Sequence, residues 1–216
     1  MSEKDTFINA RLKTPKAAAV AGIVFSLLMF TIFGLLRRSI PADPLESGAW
    51  LATNTRTIAL ALNLIPFAGV AFLWFIGVLR DRLGRQEDRF FATVFFGSAL
   101  LFLAMLFAAA AVIGAVMLLA STAEPNELMN SATFRFARAA AYIVTNVYAS
   151  KMAAVFMIST STVVIYTGIA PRWIIGYLSA LVLLLGSFYI GWSFAVLPVW
   201  VFVISVYILI DNLRGR

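Results

Sequence analysis

Long apolar runs alternate with short polar segments along the whole chain. The run at residues 90–120 has no charged residue over its entire length. A membrane-spanning helix needs about 20 mostly apolar residues. The pattern therefore predicts an all-α, polytopic membrane protein, folded as a six-transmembrane-helix bundle. The predicted spans lie at about residues 17–36, 57–79, 90–120, 139–170, 173–190 and 194–210.

The polar connections predict short interfacial helices in the outer loops. Before the second span, Asp43 is followed by Pro44, with Glu46 three residues after Asp43. An N-cap, a proline at the first helical position and a carboxylate near the third are typical of a helix start. This segment is expected either to form a short helix in the interface or to extend the second span. With no linker or low-complexity tract, residues 1–216 are predicted to form one integral membrane domain.

The distribution of basic residues predicts the orientation. The first run is longer than the apolar part of a signal peptide and ends in Arg37 and Arg38, so it is interpreted as a retained span. Six spans place both termini on one side. The segments on that side hold eleven Lys and Arg residues, against five in the opposite loops. The positive-inside rule then predicts cytoplasmic termini.

Composition supports the membrane assignment and excludes most catalytic chemistry. Hydrophobic residues make up 62% of the chain and charged residues 12%. A soluble domain of this size cannot bury so many apolar side chains. The chain has no Cys and no His, so thiolate and imidazole chemistry are excluded. No catalytic, cofactor or metal site is predicted, and a non-enzymatic protein is expected.

The charged residues do not change the prediction of a helical membrane protein. The net charge of +7 is explained by basic residues between the spans, and no nucleic-acid binding is expected. All ten acidic residues lie outside the spans. Proton-coupled carriers usually place ionisable groups within the membrane. The expected partners are the lipid bilayer and either a second copy or another membrane protein.

Lys151 is the one charged residue within an apolar run. If the fourth span begins at residue 152, Lys151 lies at the interface and extends its ammonium towards water. If the span begins at 139, the lysine is deep in the bundle, where it would face a pore or a partner.

A polar stripe passes through this lysine at helical spacing. It comprises Thr145, Tyr148, Lys151, Val155, Ser159, Thr162 and Tyr166. The stripe predicts either hydroxyl packing between helices or a path for a solute or ion. In the second span, Asn63 and Pro66 mark a local break, because proline removes one backbone hydrogen bond. The freed carbonyl could bind a solute, although a kink without a ligand is the alternative.

The loop between spans two and three is the last candidate. Its arginines are Arg80, Arg82, Arg85 and Arg89. They could contact anionic lipid headgroups, but three acidic residues in the same loop offset much of that charge. The alternative is a solvated positive-inside anchor.

The stretch NLIPFAGVAFLWFIGVLRDRLGRQEDRFFATVFFGSALLFLAMLF, over spans two and three, resembles uncharacterised bacterial multi-pass membrane proteins. The resemblance implies a bacterial cytoplasmic-membrane setting and assigns no activity to any residue. The expected function is that of an accessory, packing or regulatory membrane component. The alternative is a small channel or carrier lined by the polar stripe of the fourth span.

Overall fold

The computed structural model is almost entirely helical in the part of the chain that it describes. The described residues are 14–41, 43, 46, 48–83, 89–122, 125–166, 174–186 and 193–214. Five of their helices are long and apolar enough to cross a membrane. The all-α prediction is confirmed for these residues, and the protein belongs to the multi-pass membrane class.

The first three long helices extend beyond the predicted spans. α1 covers Thr14–Ser39, α2 covers Ala49–Leu83 and α3 covers Arg89–Thr122. At 1.5 Å per residue, the 35 residues of α2 rise about 52 Å, whereas a hydrocarbon core is about 30 Å thick. The middle of each of these helices consists of apolar residues, and its ends extend into polar sequence.

The segment before α2 contains a turn. The Glu46 N–H donates to the Asp43 carbonyl over 3.3 Å. α2 then begins at Ala49, eight residues before the predicted start of the second span. Residues 44, 45 and 47, on which the prediction of a short helix also rests, lie outside the described residues.

The fourth long helix begins at Ala132, seven residues before the predicted start of its span. It follows a six-residue helix, α4, at Pro125–Asn130. α5 covers Ala132–Ile143, a π-helical segment covers Val144–Ala149, and α6 covers Ser150–Tyr166, without a break between them. Residues 167–170 of the predicted span lie outside the described residues.

The last two helices differ in length. α7, at Ile174–Gly186, has 13 residues, which rise about 20 Å. A three-residue 3-10 turn precedes α8, which covers Val196–Arg214. α7 is the described part of the predicted fifth span, whose remaining residues lie outside the description. The five candidate spans are Ala19–Ser39, Thr53–Arg80, Thr93–Ser121, Ala132–Thr162 and Ser193–Ile210.

Aromatic rings form the centre of the bundle. The Phe72 ring of α2 is fully buried, with its centroid 4.6 Å from that of Phe25 in α1. Two further rings, Phe102 of α3 and Phe156 of α6, meet Phe72 edge-on at 5.4 and 5.3 Å. Phe156 in turn meets Trp200 of α8 at 5.9 Å. The rings therefore join five helices in one packed core.

Glycines allow two close helix contacts. A Cβ atom at Gly22 of α1 would lie 2.0 Å from the Ser205 Oγ of α8. A Cβ atom at Gly176 of α7 would lie equally close to the Ser161 Oγ of α6. No other residue permits these approaches unless the neighbouring side chains move, because only glycine lacks a Cβ.

The outer surface of the bundle is apolar. Phe67 and Trp74 of α2, Leu118 of α3 and Leu185 of α7 each have about two thirds of their surface exposed. Soluble monomers rarely expose continuous apolar surface of this kind. These side chains therefore fit contact with lipid chains.

Candidate functional site

A half-open cleft of about 420 Å³ lies between the second half of α1 and the region where α5 meets the π-helical segment. α2, α3 and the turn before α8 complete its walls. This volume falls within the range of ligand pockets, about 300–1,000 Å³. The apolar lining residues are Met29, Ile32, Phe33, Leu36, Ile40, Pro41, Leu62, Ile65, Leu106, Ala109, Ala110, Ile113, Ala141 and Phe194.

The polar lining residues make the cleft amphipathic. They are Arg37, Arg138, Tyr142, Thr145 and Asn146. Arg37 lies in the last turn of α1, whereas Met29 lies eight residues, or about 12 Å, further into the helix. The α1 wall therefore changes from apolar to basic along its length. The described lining residues include two arginines and no carboxylate.

Hydrogen bonds from Arg138 hold the loop between α1 and α2 against α5. The Arg138 side chain is only 5% exposed. Nη1 donates to the Glu46 carbonyl over 2.6 Å, and Nη2 donates to the carbonyls of Pro41, at 3.0 Å, and Asp43. The guanidinium also lies 5.1 Å from the ring centroid of Trp50. A planar guanidinium can serve several acceptors at once, which a lysine ammonium cannot do in the same plane.

Local packing brings this loop and α5 together. The Ser131 side chain accepts the Phe134 N–H and so caps α5. The Phe134 ring is buried beside Met129, and a Cβ atom at Gly48 would come within 2.9 Å of both side chains. Glycine at position 48 therefore lets the end of the loop lie directly on α4 and α5, which positions its carbonyls for Arg138.

The π-helical segment shapes the inner part of the cleft. A π turn closes hydrogen bonds from residue i to i+5, and the Ser150 N–H donates to the Thr145 carbonyl in this way. The segment places Thr145 and Asn146 in the cleft wall, while Ala149 is buried against the bundle. Single π turns often occur at functional sites, because the extra residue redirects neighbouring side chains.

The predicted polar stripe does not form one continuous surface. Of its members, Thr145 lines the cleft, whereas Tyr148 and Lys151 are exposed on the outside of the bundle. The Ser159 hydroxyl is buried and donates to the Val155 carbonyl over 2.8 Å. The π turn changes the helical register between these positions.

The far end of the stripe joins two helices. The Thr162 hydroxyl donates to the Ile158 carbonyl over 2.9 Å and lies 2.6 Å from the hydroxyl of Tyr177 in α7. The side chain of Tyr166 lies outside the described residues. The choice between hydroxyl packing and a solute path remains a prediction.

The break in α2 lies near the cleft but faces away from it. Asn63 is exposed, and its amide donates to the Ala59 carbonyl over 2.9 Å. Pro66 is also exposed. The lining residues of α2 are Leu62 and Ile65.

The basic loop between α2 and α3 is described at its first residue. The Arg80 guanidinium lies 5.7 Å from the ring centroid of Phe96 and joins the ends of α2 and α3. Arg85 and the side chains of Arg82 and Arg89 lie outside the described residues. Contact of these arginines with lipid headgroups remains a prediction.

The sequence interpretation missed Arg37 and Arg138 as site residues. Arg138 falls within the polar connection predicted before the fourth span, because a charge usually marks the end of a span. One signal could have found it: Ser131 is a good N-cap residue, and Phe134, Arg138 and Ala141 follow on one helical face. Its loop partners could not be read from the sequence.

The helices and the cleft together define a multi-pass helical membrane protein with a basic-ended amphipathic cleft. Comparisons with protein-family models, with curated proteins and with solved structures gave no match.

Proposed function

We propose that the protein is a non-enzymatic accessory or regulatory membrane component that acts by holding a lipid-like molecule in the cleft. The observation that carries this proposal is the cleft itself, which is apolar along most of its length and basic at one end. A molecule taken from a bilayer has the same division into an apolar chain and a polar end. Hydrocarbon walls keep the chain out of water, and the polar residues orient the other end.

The arrangement of the cleft supports a chain with six crossings. Phe194, just before α8, lines the same cleft as Arg37 at the end of α1. The continuous α5–α6 helix runs away from this level, and α7 runs back alongside α6, with Tyr177 beside Thr162 and Leu181 near Ile158. With six crossings, the termini lie on the side of the membrane opposite the cleft. The excess of basic residues on that side supports a cytoplasmic location of the termini. The cleft would then lie in the outer half of a bacterial cytoplasmic membrane, a setting that the sequence resemblance implies.

Lys151 supports an action through a partner. Its side chain is exposed near the middle of the candidate span Ala132–Thr162, where lipid chains solvate a charge poorly. A second copy or another membrane protein would shield the ammonium there. Purification in mild detergent is expected to recover a stoichiometric partner or a homo-oligomer, and a monomer in several detergents would contradict this part of the proposal.

Native mass spectrometry of the detergent-purified protein tests the main proposal. The wild-type protein is expected to retain one lipid-like molecule per copy. Ala110→Phe, which places a ring in the cleft, is expected to lose it. Ala104→Phe is the matched control, because Ala104 is exposed on the same helix and does not line the cleft.

The folded state of each variant is checked by thermal unfolding. If Ala110→Phe unfolds, the smaller Ala110→Leu replaces it. Equal retention in the cleft and control variants would show that the molecule binds elsewhere. A wild-type protein that carries nothing, even after incubation with a total lipid extract, would overturn the proposal.

A further inference from the structure

We infer that the cleft is selective for an acyl chain ending in an anionic oxygen group, a carboxylate or a phosphate. This inference rests on the proposed lipid-binding function and adds the chemical class of the ligand. The anionic group would lie at the end of the cleft formed by Arg37 and Arg138, and the chain would extend along α1 towards Met29.

The apolar part can hold the first portion of one acyl chain, the rest of which would leave through the open side. Between the levels of Arg37 and Met29 the cleft extends about 12 Å, well under half the thickness of a bilayer core. The ligand chain would therefore lie within one leaflet, with its polar end near the interface. Apolar residues of α1, α2 and α3 line most of this part of the cleft, and Thr145 and Asn146 of the π-helical segment complete its wall.

The charges at the basic end favour an anion. Two arginines belong to the lining, while no described lining residue carries a carboxylate. Asp43 and Glu46 lie on the adjacent loop, where both side chains are exposed, and it is their backbone carbonyls that accept from Arg138. Both carboxylates also attract the Arg138 guanidinium, so they offset part of the positive potential at this end.

Hydrogen-bonding groups for an anion are also present. The three bonds from Arg138 to loop carbonyls use three of the five N–H groups of a guanidinium, counted over the described residues. Tyr142, four residues after Arg138, adds a hydroxyl group to the same wall. Charge-assisted hydrogen bonds are about twice as strong as neutral ones, and low-dielectric walls strengthen them further. A neutral alcohol of the same chain length could accept a hydrogen bond from an arginine but would lack the attraction between opposite charges.

A competition assay on the full-length protein tests the inference. The protein is placed in nanodiscs of neutral phosphatidylcholine, and binding of radiolabelled octadecanoate is measured by scintillation proximity against empty nanodiscs. Unlabelled octadecanoate, octadecyl phosphate and octadecanol then compete. At least one anionic competitor is expected to act at about tenfold lower concentration than octadecanol.

The basic end is tested with a matched pair of variants. Arg37→Gln is expected to remove most of the preference for the anionic competitor. Arg38→Gln is the control, because Arg37 and Arg38 are both exposed but Arg38 does not line the cleft. Arg138 is left intact because it also holds the loop.

The outcomes distinguish a free fatty acid from a phosphorylated lipid, and they distinguish anionic selectivity from lipid binding itself. Preference for octadecanoate alone indicates a free fatty acid, and preference for octadecyl phosphate indicates a phosphorylated lipid; both support the inference. Equal competition by octadecanol, or equal effects of the two arginine variants, overturns the anionic selectivity and leaves the lipid-binding proposal standing. Specific binding of none of the three overturns both.

Discussion

Replacing Arg138 with leucine should destabilise the protein through the loop that this arginine holds. The change removes the donors to the carbonyls of Pro41, Asp43 and Glu46, and the stacking on Trp50. A hydrogen bond to a charged group contributes about 1.5–3 kcal/mol when the acceptor cannot reach water.

The expected loss is smaller than three such bonds. Asp43 and Glu46 are exposed, so their carbonyls can turn to water, and about 1 kcal/mol per bond is reasonable. The contact with Trp50 adds about 1 kcal/mol. Leucine in turn avoids the cost of desolvating a charge, which offsets about 1–2 kcal/mol. The predicted net loss in the free energy of unfolding is about 2–3 kcal/mol.

SDS-induced unfolding from mixed micelles, followed by tryptophan fluorescence and circular dichroism, measures this loss. Arg135→Leu is the matched control, because Arg135 is exposed on the same helix and makes one long bond, 3.4 Å, to the Asn130 carbonyl. Arg138→Lys keeps the charge but not the planar donors, and is expected to lose about half as much. Amide exchange should rise in the loop before α2. If Arg138→Leu and Arg135→Leu agree within about 0.5 kcal/mol, the loop attachment is not what this arginine provides.

Of three other predictions, two use a matched control position. Gly22→Ala should lower the free energy of unfolding by about 1–3 kcal/mol, because a Cβ atom there overlaps a side chain of α8. Gly34→Ala is the control, because a Cβ atom there meets nothing within 4 Å, and it should be neutral or slightly stabilising. The same SDS titration measures both variants. Phe72→Ala should cost about 3–5 kcal/mol as the centre of the ring cluster, and a similar loss for Phe67→Ala, which is 66% exposed, would contradict this. Lys151→Ala should leave ion and solute fluxes in proteoliposomes unchanged, because Lys151 does not line the cleft; altered flux would favour the channel or carrier alternative.

The helices could be predicted from the sequence because lipid leaves the backbone little choice. Every N–H and C=O group within a bilayer must be paired inside its own segment, so a long apolar run becomes a helix whatever surrounds it. The ends of those helices depend on tertiary contacts. The start of the fourth helix illustrates this, since Arg138 can lie in a helix here only because loop carbonyls surround its guanidinium.

The candidate site was harder to predict than the helices. A stripe drawn at a constant 100° per residue assumes an unbroken α-helix. Thr145 and Lys151 lie about 120° apart even at that spacing, and in the structure Thr145 lines the cleft while Lys151 is exposed outside it. The π turn at Val144–Ala149 also interrupts the α-helical register between them. The residues of the stripe carry no strong sequence signal for such a turn.

The sequence alone therefore determined that this chain is a helical, multi-pass membrane protein, because apolarity and length act locally along the chain. The tertiary structure decided which polar groups meet. The partners of Arg138 lie 92 to 97 positions away in the chain, and the cleft walls come from at least five separate helical elements. Contacts at such separations depend on how whole helices pack, and packing is a property of the assembled bundle rather than of any one segment.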